Sequence, residues 1–199
     1  MPAAKAPAET AAIMWKPILI RALIAAIFGL TTVFLQDPGL PVLKYGLAAY
    51  FVFSGSGLWE YLRRDPVPEK MRGPLSIAAA LFMVGAIALL FAGTEFVAGI
   101  IAAVALIGSG LAELVAWLQY RKVFVPARDQ LYTGAVGVLS GVGLLLFLHL
   151  DAHGLLGIVG GGAIIIAVLL AISGFGFRHD AGPAALAAQK DEGPRAPRS

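Results

Sequence analysis

His149, Asp151 and His153 alternate along "HLDAH", and in an extended turn positions i, i+2 and i+4 share a face, so two ring nitrogens and a carboxylate could converge on a metal. In a helix the two histidines share a face and Asp151 points away. With no fourth ligand in view, no metal and no cofactor are expected. The triplet reads better as an outer turn that responds to pH, because unperturbed histidine titrates near ~6.5. The second candidate chemistry is carboxylate chemistry. Glu60 closes "GSGLWE" at 55–60 and Glu113 closes "GSGLAE" at 108–113, a hexamer repeated with one change.

The two carboxylates differ in their neighbours. Glu60 adjoins Trp59 and has Arg63 three residues on, a spacing at which helical charges meet, and Arg21 could reach it from the preceding apolar segment while its aliphatic stem snorkels. Glu113 is distant from Arg121, and Ala78 occupies the place corresponding to Arg21. It is therefore either protonated, paired with a residue from elsewhere in the chain, or lining a wet cavity. Burial without a local cation favours the neutral form, so Glu113 is expected to be protonated in a large fraction of molecules at neutral pH and Glu60 to stay ionised. Intramembrane ionisable residues are functional candidates by default.

That these positions are intramembrane follows from composition. Of 199 residues, 59% are hydrophobic and 14% charged, against roughly 45–50% and about 25% in soluble domains. So many apolar side chains exceed what a soluble core can hold, and the surplus must face lipid. The absence of cysteine excludes disulfides and thiolate metal sites. A net charge of +3 would suit nucleic acid only if the basic residues shared one folded face, and here they lie between apolar segments, so no nucleic-acid partner is expected.

The apolar segments fall at about 17–35, 42–62, 74–92, 96–118, 131–150 and 154–177. At ~1.5 Å per residue each matches the ~30 Å hydrocarbon layer, where a helix satisfies its own backbone. The fold expected is all-α: a polytopic membrane protein with six transmembrane helices. Short turns, "QDPGLP" at 36–41, "GTE" at 93–95 and "DAH" at 151–153, pair them into three repeated hairpins, 17–62, 74–118 and 131–177. Pro17 and Pro74 would open the first helices of their hairpins. Residues 1–16 and 178–199, rich in Ala, Pro and charge, read as disordered tails. The first span reads as a retained helix rather than a signal peptide, being too long and lacking a small-residue cleavage pattern.

Fourteen of the fifteen Lys and Arg residues fall on one side of this arrangement, leaving Lys44 on the other, and Trp15, Trp59 and Trp117 all lie at the basic interface. By the positive-inside rule both termini are cytoplasmic, in a bacterial inner membrane.

The chain resembles the HdeD-like small bacterial membrane proteins over residues 15–178. The likeness rests on three hairpins, the Trp15-to-Arg21 opening, "QDPG" at 36–39, and "SGSGLWEYL" at 54–62 with its echo "GSGLAELVAWL" at 108–118. The resemblance implies an inner-membrane protein of acid or envelope stress with no known catalysis and no catalytic residue to assign.

Glycines provide the expected packing surfaces. Gly137 and Gly141, and Gly157 and Gly161, are four apart, which lets helices approach closely. Gly55 and Gly57, and Gly108 and Gly110, should let the second helix of a hairpin approach the first. "GGG" at 160–162 lacks the Lys and Ser/Thr of a phosphate loop. Two function classes follow: a non-enzymatic stress-tolerance protein that packs with lipid, with itself or with other membrane proteins, and a small proton- or solute-linked transporter or channel subunit with Glu113 and Glu60 near the path. No enzyme is expected.

Overall fold

The structure, a computed structural model, describes residues 6–191; the remainder of the two expected tails lies outside the described residues. It is all-helical, with α1 Ala8–Phe34, α2 Leu40–Leu62, α3 Glu69–Leu90, α4 Glu95–Tyr120, α5 Arg128–Leu146 and α6 Ala152–Asp191, and a 3-10 turn at Val125–Ala127 before α5. Helix α1, α3, α4, α5 with its preceding turn, and α6 to Gly182 are each long and apolar enough to cross a membrane. Helix α2 is 23 residues long, enough to span the layer, but Lys44, Glu60 and three tyrosines dilute its hydropathy. Side chains such as Leu23, Ile27 and Val33 on α1, Ile87 on α3, Val104 on α4, Leu139 on α5 and Ile172 on α6 point outward and exposed. That belt fits a multi-pass membrane protein.

The ends are set by local chemistry. Gly39 precedes α2, with Pro41 in its first turn, where a missing N–H leaves nothing unsatisfied. Thr94 caps α4 by accepting from the Val97 N–H at 3.2 Å, and Asp151 Oδ1 accepts from the Gly154 N–H at 2.9 Å at the start of α6. Two expectations change at the basic end. Pro17 and Pro74 lie inside α1 and α3 rather than opening them. Residues 8–16 and 178–191, expected as tail, continue α1 and α6 as helix. Ala11 and Met14 are fully buried, so the amphipathic start of α1 has a core to cover.

The helices follow one another around a ring, each packing on the next in chain order, and α6 closes on α1 in the most extensive contact of the molecule, ahead of α4 on α5 and α2 on α3. These tight seams run between the expected hairpins rather than within them. Glycine decides where they are tightest. A Cβ on Gly110 would lie 2.6 Å from the Gly134 carbonyl oxygen, and one on Gly134 would lie 2.7 Å from the Gly110 oxygen, so α4 and α5 touch backbone to backbone. Gly29 does the same against Gly160 and Ile164 of α6. Gly137 and Gly141 pack on α4 as expected, but Gly157 and Gly161 have open space around them. On α6 it is the neighbouring residues Gly160 and Gly162 that face Thr32 and Ser140.

The repeated hexamer is used in two ways. In α2, Gly55 faces α3 through Ala79 and Met83, while Gly57 faces α1 at Arg21 Cγ and Ile24. In α4 the order is reversed: Gly108 faces α3 at Leu81 and Gly110 faces α5. Only Gly57 and Gly108 therefore face the helix that precedes their own in the chain, as expected. The two copies present different faces inward.

Candidate functional site

Two apolar clusters fill the bundle. One gathers Leu47, Phe51, Leu106, Leu144 and Leu155; the other gathers Met14, Ile18, Leu58, Tyr61, Leu75 and Phe177 near the basic end. On α1 Arg21 lies between Ile18 of one cluster and Ala25 of the other, and on α4 Glu113 lies between Ala116 and Leu106. A polar layer separates the clusters at that level.

The layer is organised around Arg21, which is 8% exposed. The stem passes Gly57, whose missing side chain leaves the room, and the guanidinium reaches Glu113. Arg21 Nη2 donates to Glu113 Oε2 at 2.9 Å, and Nη1 donates to Gln130 Oε1 at 3.3 Å. The Tyr61 ring lies with its centroid 5.6 Å from the guanidinium carbon, and the Tyr61 hydroxyl donates to the Pro126 carbonyl at 3.3 Å. Thr133 Oγ1 donates to Glu113 Oε2 and sits 3.1 Å from the Asp129 carbonyl oxygen one helical turn back. Asp129, fully buried, accepts at Oδ1 from Ser173 Oγ at 2.7 Å. The network thus joins α1, α4, α5 and α6, with α2 contributing its tyrosine. Asp129 Oδ2 and Gln130 Nε2 have no hydrogen-bond partner in the protein.

Beside the ion pair is a cavity of about 40 Å³ lined by Arg21, Tyr50, Ser54, Ser109, Glu113 and Thr133. At ~10–15 Å³ per water-sized probe it has room for roughly three waters. One carboxylate, several hydroxyls and a guanidinium around such a space form a buried polar site that can hold water.

Several sequence expectations are corrected here. Arg21 pairs with Glu113, not Glu60, and the argument for a neutral Glu113 loses its premise, since the cation it lacked locally arrives from α1 across the ring. Glu60 points to the surface, its side chain 47% exposed, and pairs with Arg64 one turn on rather than with Arg63. Asp151 is used as a helix cap; His149 and His153 are exposed at the opposite end of the bundle from Arg21. Among the described residues no group of three or more His, Asp or Glu side chains is gathered to hold a metal.

The residues missed are Asp129, Gln130, Thr133, Ser173 and Tyr61. A signal existed: in "RDQLYTG" Asp129 and Thr133 are four apart and Gln130 and Thr133 three apart, so all three lie on one helical face. A fifth span that begins at 131 leaves the first two outside the helix, whereas α5 begins at Arg128. Compared with known protein families, curated proteins and solved structures, the chain matches none.

Proposed function

We propose that the chain is a non-enzymatic, six-span protein of the bacterial inner membrane, built from three hairpins with both termini cytoplasmic, that acts in envelope or acid-stress tolerance as an HdeD-like packing protein. The observation that carries it is the role of the buried charges: Arg21 is held by Glu113 and Gln130 of two other helices, which is the geometry of a structural tie. A guanidinium bound on several sides by its own fold is poorly placed to take up or release a substrate. The stress role itself rests on the resemblance carried by Trp15, Arg21, "QDPG" and the hexamers.

The orientation is supported by the charge asymmetry and by the aromatic and cationic pairs at the basic end, where Arg121 lies over Trp117 and Arg178 over Trp15. The chain has no cysteine, so one introduced at Gly93 is a clean label. It should react with an impermeant maleimide from the periplasmic side of intact cells; reaction from the cytoplasmic side alone would contradict the topology.

A second reading, proton- or solute-linked transport, is favoured by the cavity beside Glu113 and the unpartnered Asp129 and Gln130 atoms. One experiment separates the two. A strain lacking the chain is expected to survive acid challenge less well and to be fully rescued by wild type and equally by Ser109→Val, which fills the cavity. Equal survival with and without the chain removes the stress role. Rescue by wild type but not by normally expressed Ser109→Val favours transport.

A further inference from the structure

The seam between α1 and α2 is the loosest in the ring, although a short turn joins these two helices. It opens to the outside as an apolar cleft of about 370 Å³, with Ile20, Leu23, Ile27, Gly46, Ala49 and Phe53 on its walls. Its α1 wall runs from Ile20 to Thr31, about three turns of helix or ~16 Å, close to half the ~30 Å hydrocarbon layer. Gly46 contributes to the gap directly, since a Cβ there would meet nothing within 4 Å.

One turn beyond the cleft, toward the basic end, Lys16 continues the exposed stripe Ile20, Leu23, Ile27 on α1. Lys16 Nζ lies 5.4 Å from the Trp15 ring centroid and Arg178 lies 5.5 Å from the same ring. Two cations thus meet at one indole. Neither has a carboxylate within 4 Å among the described residues, unlike Arg21 and Arg64. Lys16 thus stands one turn above the apolar slot on the α1 stripe that lines it, and Arg178 of α6 shares the indole beside it.

We infer that this is a binding site for a single anionic phospholipid, with the phosphate held by Lys16 and Arg178 beside Trp15 and one acyl chain lying in the α1–α2 cleft. The cations select the anionic headgroup and the cleft holds the chain, so the two parts are separable by mutation. The inference depends on the chain being in a membrane and on nothing else in the proposed function. Recovery of the protein in the carbonate-washed membrane fraction tests that premise by itself.

The test is native mass spectrometry of the purified protein in detergent, with phosphatidylglycerol and phosphatidylcholine of identical acyl chains added in equal amounts. Each cation near an anionic headgroup contributes a factor of roughly five, so phosphatidylglycerol should be retained at least about fivefold over phosphatidylcholine. The Lys16→Gln/Arg178→Gln double variant should bring the ratio near one without reducing phosphatidylcholine retention. Gly46→Phe should reduce retention of both lipids. Ala49→Phe fills the same cleft and serves where Gly46→Phe fails to give monodisperse protein. Equal retention of the two lipids by wild type would overturn the inference, as would unchanged retention in both cleft variants. A dimer of the chain that the cleft variants dissociate, with lipid retention unaffected, would assign the cleft to a second copy instead.

Discussion

Glu113→Leu should lower the stability of the protein by about 3–5 kcal/mol, the range found when one partner of a buried ion pair is removed and the other is left uncompensated. The reason is specific to Arg21, which is 8% exposed and has Gln130 and Thr133 as its other side-chain partners. A guanidinium cannot shed its proton, so the stranded charge remains. Arg21→Met should therefore cost less than Glu113→Leu, because the carboxyl left behind keeps the Thr133 hydroxyl as a donor. The Arg21→Met/Glu113→Leu double variant should recover much of the loss, since neither member of the pair is then left without the other. Glu60→Gln, which breaks only a half-exposed pair with Arg64, should change stability by less than about 1 kcal/mol. The order is the reverse of what the sequence-based expectation of a protonated Glu113 and an ionised Glu60 would give. Unfolding of the four variants in detergent, followed by circular dichroism, measures it. A double variant as damaged as the summed singles, or Glu113→Leu as mild as Glu60→Gln, would show that the pair does not hold the helices.

Gly110→Ala should be the second severe change. Its new methyl would lie 2.6 Å from the Gly134 carbonyl oxygen, and a backbone atom cannot rotate away as a side chain can. Helices α4 and α5 would have to separate, at a cost of about 1–3 kcal/mol for overpacking. Gly134→Ala should behave alike because the contact is reciprocal. Gly157→Ala makes the contrast: nothing lies within 4 Å of its new methyl, and exchanging a helix-interior glycine for alanine gains about 0.5–1 kcal/mol. Midpoints of thermal unfolding should thus fall for Gly110→Ala and Gly134→Ala and rise slightly for Gly157→Ala. A similar fall at all three would mean that glycine acts in these helices through something other than close approach.

The glycines also show what single-chain spacing leaves open. Gly137/Gly141 and Gly157/Gly161 have the same four-residue interval, yet the first pair packs on α4 and the second is exposed, with Gly160 and Gly162 turned inward in its place. The interval states that two glycines share a face. It does not state which way that face is turned.

Helix positions were legible because they depend on local quantities: apolar length against the thickness of a hydrocarbon layer, and Pro, Gly, Asp and Thr at the turns. The limits of α1 and α6 were less legible, because Ala11, Met14 and Ala181 remain in helix by packing against residues distant in sequence. The polar layer was half legible. Arg21 and Glu113 stood out as charges in apolar surroundings, but their pairing did not, since α1 and α4 meet only when the ring closes. Glu60 and Glu113 end nearly identical hexamers, so their local sequence makes them equivalents. Each residue turns a helix by about 100°, and the azimuth of α2 and of α4 is set by which glycine each presses against its neighbours. With Gly55 on α3 and Gly57 on α1, Glu60 faces outward; with Gly108 on α3 and Gly110 on α5, Glu113 faces inward. Sequence determined that two carboxylates sit near the basic end of the second and fourth helices, and only the rotation of those helices in the closed ring decided which one is buried against an arginine.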